Sequence, residues 1–526
     1  MSSTATPWGK EIATETIGGI PYRMYTDRPR RVEHLIAFTS RWGNRPHIIH
    51  GDRVLSFADL RNAAQAKATE LKTIGIKNGN LVFILGWNSP EWVVNFWACL
   101  LAGGVPVLAN AWWSGTEVAQ GLIEIRPHLV LADTRCAEKV PPEWPMGTWD
   151  IDASERPDDG ESNNLSQDES QTALIIFTSG TSGNPKAVVL SHRAVLARLQ
   201  MTLHITRKLP HQVEESARDV TLLTGPLFHV GSMQSLLRAA IVGDTIVLLP
   251  GRYDPAEVLA LIERHKVNRW NCVPTMVLRL LDHPKVSRRD LTSLKSISIG
   301  GAPVHAELMQ RIRVELPSVS PRIPTGYGLT ENGGQATASA GADSIEQIGS
   351  TGKPLPCVEV DFLPHPGLPD GEILLRSPTQ MTGYFGLDDS PINSDGWLHT
   401  GDLGRLDEKG NLWITGRCKD MIIRGGENIA PVAIERALLA IPGVADAAVF
   451  GVPHPDLGEE VMAVVAIDRE VTVPELEAHL RKGIASFSVP SRWKLQTMAL
   501  PTNDAGKIDK KTLRAQVLAG ATAPGN

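Results

Sequence analysis

The chain has 526 residues, 42% hydrophobic and 21% charged, with a formal net charge of -6. That length exceeds one ordinary core and implies at least two domains, and the balance is that of a globular protein, not a disordered or fibrous one. A slightly acidic chain gives nucleic acid no electrostatic footing as the main partner, and short basic clusters such as Arg28, Arg30 and Arg31 read as solvated surface.

Met1 to Trp8 is polar and lacks the basic-then-apolar order of a secretory leader. From Phe57 to Leu71 apolar residues fall at helical spacing, and Leu81 to Leu85 reads as a buried strand. Trp92 to Leu101 is helical again, followed by a strand at Val105 to Leu108. The stretch from Trp92 to Val107 is the most apolar, but Gly103, Gly104 and Pro106 interrupt it, and a membrane span needs about 20 apolar residues. The alternation favours an α/β architecture with helices on both sheet faces. Trp144 to Gln171 turns acidic and polar and reads as a surface connection; Ala173 to Phe177 is then a strand. Near the end come a strand at Asn411 to Thr415 and a break at Gly416 to Lys419. A helix at Val432 to Ile441, strands at Ala447 to Val452 and Met462 to Ile467, and a helix at Val473 to Ala485 follow. These suffice for a small α+β domain of about 100 residues, with the boundary at Lys419: residues 1–418 and 419–526. The five cysteines (Cys99, Cys136, Cys272, Cys357 and Cys418) show no metal-ligand spacing and read as reduced thiols. A cytoplasmic protein without a membrane span is the expectation.

The most informative segment runs FTSGTSGNPKAV from Phe177 to Val188. A strand enters two glycines (Gly180 and Gly183), four hydroxyl side chains (Thr178, Ser179, Thr181 and Ser182) and one cation, Lys186. Glycines let the backbone turn tightly and aim N–H groups at an anion, hydroxyls donate further hydrogen bonds, and the lysine adds charge. This is chemistry for a polyphosphate, although a Ser/Gly surface loop shares the composition. The segment is not the GxxxxGK[ST] loop of nucleoside triphosphatases, since Lys186 follows Pro185 and Ala187 stands at the Ser/Thr position.

The segment resembles the signature loop of the adenylate-forming superfamily, which includes acyl-CoA synthetases, peptide-synthetase adenylation domains and beetle luciferases. Six further motifs occur in the order of that family: PLFH at Pro226 to His229, GGAP at Gly300 to Pro303, GYGLTE at Gly326 to Glu331, TGD at Thr400 to Asp402, GRCKD at Gly416 to Asp420, and AGK at Ala505 to Lys507. Weaker similarity begins near Leu55. The resemblance implies a large N-terminal domain of two α/β lobes plus a small β-barrel, and a small mobile α+β C-terminal domain. It also implies a two-step reaction with ATP, Mg2+ and coenzyme A: a substrate carboxylate attacks the α-phosphate, pyrophosphate leaves, and the CoA thiol then displaces AMP from the acyl-adenylate.

By the same resemblance, Glu331 is the magnesium ligand with Thr178 as a second contact. Thr330 faces the α-phosphate, Tyr327 with Gly328 offers a face to adenine, and Gly301 and Ala302 belong to the nucleotide pocket. Asp402, with Arg417 beside it, matches the ribose-binding aspartate. Lys507 matches the C-terminal lysine that bridges the attacking carboxylate and the α-phosphate, so Lys507, Lys186, His229 and Thr330 form the expected catalytic set. His229, Val230 and Gly301 line the acyl pocket, although a lone histidine is usually a hydrogen-bonded core residue. Lys419 matches the hinge, and Gly425, Gly426 and Glu427, within Arg424 to Asn428, the loop that admits CoA.

Three positions depart from the family pattern: Ala187 where glycine usually follows the loop lysine, Ser488 where lysine is common, and Ala505 in place of threonine. Ala187 adds a methyl group where backbone approaches the triphosphate. The expectation is a carboxylate–CoA ligase acting on a bulky apolar acid. The alternatives are an enzyme that mainly forms thioesters from an acyl-adenylate, one that adenylates for another acceptor such as a carrier-protein thiol, and a non-catalytic nucleotide-binding protein. The acyl pocket is assembled from remote segments, His229 to Met233, Trp270 to Met276 and Ser298 to Ala302.

Overall fold

The computed structural model describes residues 8–151, 167–178, 185–216, 218–302, 304, 306–319, 322–339, 341, 346–365, 368–502 and 507–521. Helix starts are encoded locally. Ser56 and Asp59 close a reciprocal capping box on the helix Phe57–Thr73, and Ser114 with Glu117 does the same for Gly115–Ile125. Each pair satisfies backbone N–H groups that the first turn leaves open. The helix Pro90–Leu101 starts on Ser89 with proline at its first position and is buried almost all round. Burial accounts for its apolar character, and among the described residues no helix is long and apolar enough to cross a membrane.

Two six-stranded sheets carry the N-terminal part. One runs Ser296–Ile299, Arg269–Cys272, Val220–Leu223, Thr245–Leu248, Pro46–His50 and Arg53–Ser56, parallel up to the last hairpin. The other runs Gly383–Tyr384, Ala187–Ser191, Thr172–Phe177, Val105–Ala109, Leu81–Leu85 and Leu129–Ala132, parallel across its last four strands. One continuous apolar core joins the two, and a second fills the far face of the first sheet around Trp270 and Ile312. A four-stranded antiparallel sheet, Glu359–Pro364, Gly371–Arg376, Leu398–Leu406 and Leu412–Arg417, forms the β-rich lobe. The C-terminal sheet begins at Ile422–Arg424 and is built on the long hairpin Val444–His454 and Gly458–Ile467, with apolar clusters on both faces. The fold is thus the mixed α/β architecture expected, with a large N-terminal and a small C-terminal part.

Three expectations are corrected. Arg28 and Arg31 are not solvated: both are buried, and Arg28 is gripped by Glu15 (2.6 Å) and Glu169 (2.9 Å), Arg31 by Glu33 (2.7 Å). Glu169 belongs to the stretch read as a surface connection, yet it is itself buried, and Trp144 and Trp149 of that stretch pack on the core. A sequence window cannot show that opposite charges far apart in the chain will bury each other. Finally, the helix expected over Val473 to Ala485 ends at Leu480, where Gly483 and Ile484 fold back onto the Leu480 carbonyl in a turn.

Candidate active site

A single cleft of about 2400 Å³ lies between the two six-stranded sheets, the β-rich lobe and the C-terminal part. Its wall includes Thr178, Lys186, His229, Val230, Gly301, Ala302, Tyr327, Gly328, Thr330, Glu331, Asp402, Arg417, Lys419 and Lys507. These residues come from seven separate stretches of the chain, so their convergence is the work of the fold.

The tightest cluster is built by strand register. Asp402 on Leu398–Leu406 lies directly opposite Arg417 on Leu412–Arg417, and the Arg417 Nε meets Asp402 Oδ1 at 2.8 Å. Asp402 Oδ2 accepts from the Tyr327 hydroxyl at 2.7 Å, which leaves the buried carboxylate held on both oxygens. Burial, and then the Asp402 charge, push the Tyr327 phenol well above its usual range, so it remains a donor. The next residue, Gly328, sits opposite Gln335 in a two-strand ribbon; a side chain there would meet the Gly334 carbonyl at 2.2 Å, so only glycine fits.

Glu331 lies in the short 3-10 turn Thr330–Asn332, where its backbone carbonyl accepts from Met381 at 2.8 Å. Its Oε1 accepts from the Tyr384 hydroxyl at 3.0 Å, and the Lys186 ammonium stands 4.4 Å from the centre of the same Tyr384 ring. Tyr384 therefore ties the phosphate-loop lysine to the acidic residue of GYGLTE. Sequence reasoning missed it, because nothing in its local pattern points to residues so distant in the chain. Lys186 also reaches the exposed carboxylate of Asp389 at 3.4 Å. Ser179, Gly180, Thr181, Ser182 and Gly183 lie outside the described residues; their flank is anchored where the Lys186 N–H donates to Thr178 Oγ1 at 3.2 Å.

Lys507 enters the cleft from the C-terminal part. Burial lowers its pKa, the Arg417 charge lowers it further, and Asp402 opposes both. Burial pushes the imidazole of His229 down to about 4, with the Lys507 charge adding to the shift, so this ring is neutral at physiological pH. His229 precedes the helix Val230–Val242, and its buried Nε2 has no hydrogen-bond partner among the described residues. It is not the satisfied core histidine that a lone residue usually is.

Gly425, Gly426 and Glu427 stand apart from this assembly. Gly425 and Gly426 form the exposed turn between Ile422–Arg424 and Glu427–Ile429, Glu427 opens the second strand, and none of the three lines the cleft. Ser488 lies near them: its 3-10 turn presents the Phe487 carbonyl to Arg424 at 3.1 Å. Ala187 is not where the sequence reading put it. Its side chain is fully buried in the main core and its carbonyl accepts from Phe385, so the added methyl points into the sheet's packing and not at a nucleotide. Ala505 lies outside the described residues.

Fold and cleft are those of an adenylate-forming enzyme. The chain belongs to the AMP-binding enzyme family, whose model matches residues 37–385, with the AMP-binding enzyme C-terminal domain matching 433–507. It is 32% identical to a feruloyl-CoA synthase from an Amycolatopsis species over 89% of this chain and 96% of that one. It is 32% identical to a 2-succinylbenzoate–CoA ligase from Bacillus licheniformis, over 93% of this chain and all of that one (100%). Among solved structures it resembles o-succinylbenzoate CoA synthetase from Bacillus subtilis in complex with its acyl-adenylate intermediate, with a TM-score of 0.78 and 28% identity over 93% of this chain and 99% of that one.

Proposed function

We propose that this AMP-forming acid–thiol ligase joins a carboxylic acid with a bulky apolar body to coenzyme A through an acyl-adenylate. One observation carries the reading: Lys507, His229 and the paired Asp402 and Arg417 line one cleft. A cation there stands between the place for an acid and the place for a ribose.

In the first step the substrate carboxylate oxygen bonds to the α-phosphorus of ATP and pyrophosphate leaves. Asp402 accepts from the ribose hydroxyls, held in place by Arg417 and Tyr327, and Tyr327 and Gly328 flank the base. Lys507 lies between two anions that repel each other, and Lys186 and Thr330 meet the phosphates, so catalysis is positioning and charge stabilisation. Bound with the nucleotide, Mg2+ would supply neutralisation of phosphate charge. Glu331 and Thr178 fit it, because one protein carboxylate plus phosphate oxygens is the usual hard-cation set, and among the described residues only Tyr384 bonds that carboxylate. In the second step the CoA sulfur bonds to the acyl carbon and AMP leaves. A lysine at the α-phosphate obstructs that approach, so we place a hinge at Lys419, dividing residues 1–418 from 419–526, and assign the turn Gly425–Glu427 to the second orientation. The buried position of Ala187 weakens one of the three grounds for expecting impaired adenylation; Ser488 and Ala505 are the other two. A cytoplasmic setting fits five unpaired cysteines.

The test is incubation with ATP, Mg2+ and a panel of carboxylic acids, with and without CoA. Pyrophosphate release in both cases and acyl-CoA only with CoA is the expected result. Pyrophosphate release without any acyl-CoA assigns another acceptor, and neither product leaves only a nucleotide-binding role.

A further inference from the structure

The segment from Met381 to Phe385 is stitched to two of the site's motifs at once. Its strand Gly383–Tyr384 pairs with the strand that follows Lys186, with Tyr384 opposite Val188, and the Phe385 N–H donates to the Ala187 carbonyl at 2.8 Å. At the other end the Met381 N–H donates to the Glu331 carbonyl, also at 2.8 Å. The backbone thereby fixes the half-buried Tyr384 ring in the cleft wall. The Lys186 ammonium stands 4.4 Å from the ring centre, and the Glu331 carboxylate accepts from the hydroxyl at 3.0 Å.

Cation and carboxylate thus touch the same side chain without touching each other: no described ion pair joins Lys186 to Glu331, and Lys186 reaches the exposed Asp389 instead. Opposite charges held against one ring attract each other, more strongly in a cleft than on an open surface. Were they to pair, each would have to leave the other before it could meet its own ligand, a phosphate for the lysine and a divalent cation for the glutamate. Tyr384 offers each of them a different partner. Its ring face attracts the ammonium, and its hydroxyl donates to the carboxylate. Burial, and then the Glu331 charge, raise the phenol above its usual range, so it remains a donor.

We propose that Tyr384 is a spacer, whose ring and hydroxyl hold Lys186 and Glu331 apart so that the phosphate-binding cation and the metal-binding carboxylate stay separately available. The inference rests on the nucleotide-site reading of Lys186 and Glu331 and adds a positioning residue to it. Tyr384 makes and breaks no covalent bond, so its effect falls on nucleotide affinity.

The experiment titrates ATP calorimetrically into the full chain without any acid, once with Mg2+ as a control for nucleotide binding and once with EDTA. The proteins are the parent, Tyr384→Phe, Tyr384→Leu, and Tyr384→Leu combined with either Glu331→Gln or Asp389→Asn. Tyr384→Leu removes both contacts and lets Lys186 pair with Glu331. Its ATP affinity in EDTA should fall about ten- to a hundredfold, the range for one charge-assisted contact. Tyr384→Phe keeps the ring between the charges and should keep most of the affinity. The separating measurement is the combination with Glu331→Gln: with no carboxylate to pair with, Lys186 is released and most of the lost affinity returns, a coupling that loss of packing alone does not produce. Unchanged affinity in Tyr384→Leu, a loss that Glu331→Gln does not restore, or one that Asp389→Asn restores equally well overturns the proposal. If Tyr384→Leu does not fold, Glu331→Gln alone decides. With the spacer in place its gain in EDTA should stay below about fivefold, the range for a weakly coupled charge, and a larger gain overturns the proposal. Any of these overturning patterns, with ATP bound by the parent, leaves the nucleotide-site reading standing, whereas no ATP binding to the parent in either condition sinks that reading itself.

Discussion

Two buried arginines in this protein have opposite surroundings. Arg28, which follows the antiparallel hairpin Ile12–Ile17 and Ile20–Tyr25, is enclosed by Glu15 and Glu169, and Glu169 also takes Arg30 (2.9 Å) and Arg193 (3.1 Å). Burial would lower the Arg28 pKa, but these carboxylates outweigh it and raise it; burial would raise Glu169, but the arginines hold it down at about 2. Arg198 has burial and no acid, and its pKa falls. The first cluster is complete within the protein and acts as a clasp. The second is met only by neutral groups, Gln335 and Thr202. Whether a buried charge stabilises the fold or serves a ligand is decided by who supplies the counter-charge.

That comparison can be broken or sharpened experimentally. The largest effect is expected from Glu169→Gln, which removes the carboxylate shared by Arg28, Arg30 and Arg193 and leaves Arg28 with Glu15 alone: unfolding should become easier by about 3 kcal/mol, read by urea denaturation. A loss under about 1 kcal/mol would show that the cluster is no clasp. The same group sets an acid limit. The folded carboxyl is depressed from its ordinary 4.5 to about 2, so its contribution is complete above the ordinary value and is lost as pH falls from there toward the depressed one. Melting temperature should drop through that window in the parent and drop less steeply in Glu169→Gln.

Next in size is Lys507→Ala, which tests a buried cation assigned to catalysis. Pyrophosphate release should slow about ten- to a hundredfold, the value of one charge-assisted contact of roughly 1.5–3 kcal/mol. Attack of CoA on a synthetic acyl-adenylate should remain as in the parent, and Gly426→Leu should show the reverse pattern. Equal slowing of both steps by Lys507→Ala would end the two-orientation scheme. The smallest effect is expected from the stability of Arg198→Met without substrate. Only neutral partners are lost, so the change should stay within about 1 kcal/mol of the parent. A destabilisation as large as that of Glu169→Gln would place Arg198 among the structural arginines.

Much of this was legible in order along the chain. The strands at Leu81–Leu85 and Thr172–Phe177, the capped helix from Phe57 and the motifs holding Lys186, Glu331, Asp402 and Lys507 all depend on local pattern, and local pattern survives in a one-dimensional reading. The Asp402–Arg417 pairing was expected from resemblance; its geometry comes from the register of two neighbouring strands. Only the tertiary structure could show that Tyr384 links Lys186 to Glu331, that Ala187 faces the core, and that Arg28 finds Glu169 while Arg198 finds no acid. The reason is physical: composition and periodicity determine which segments seek burial, but the partner of a buried charge is selected by packing between segments far apart in the chain, and on that partner the function of the charge depends.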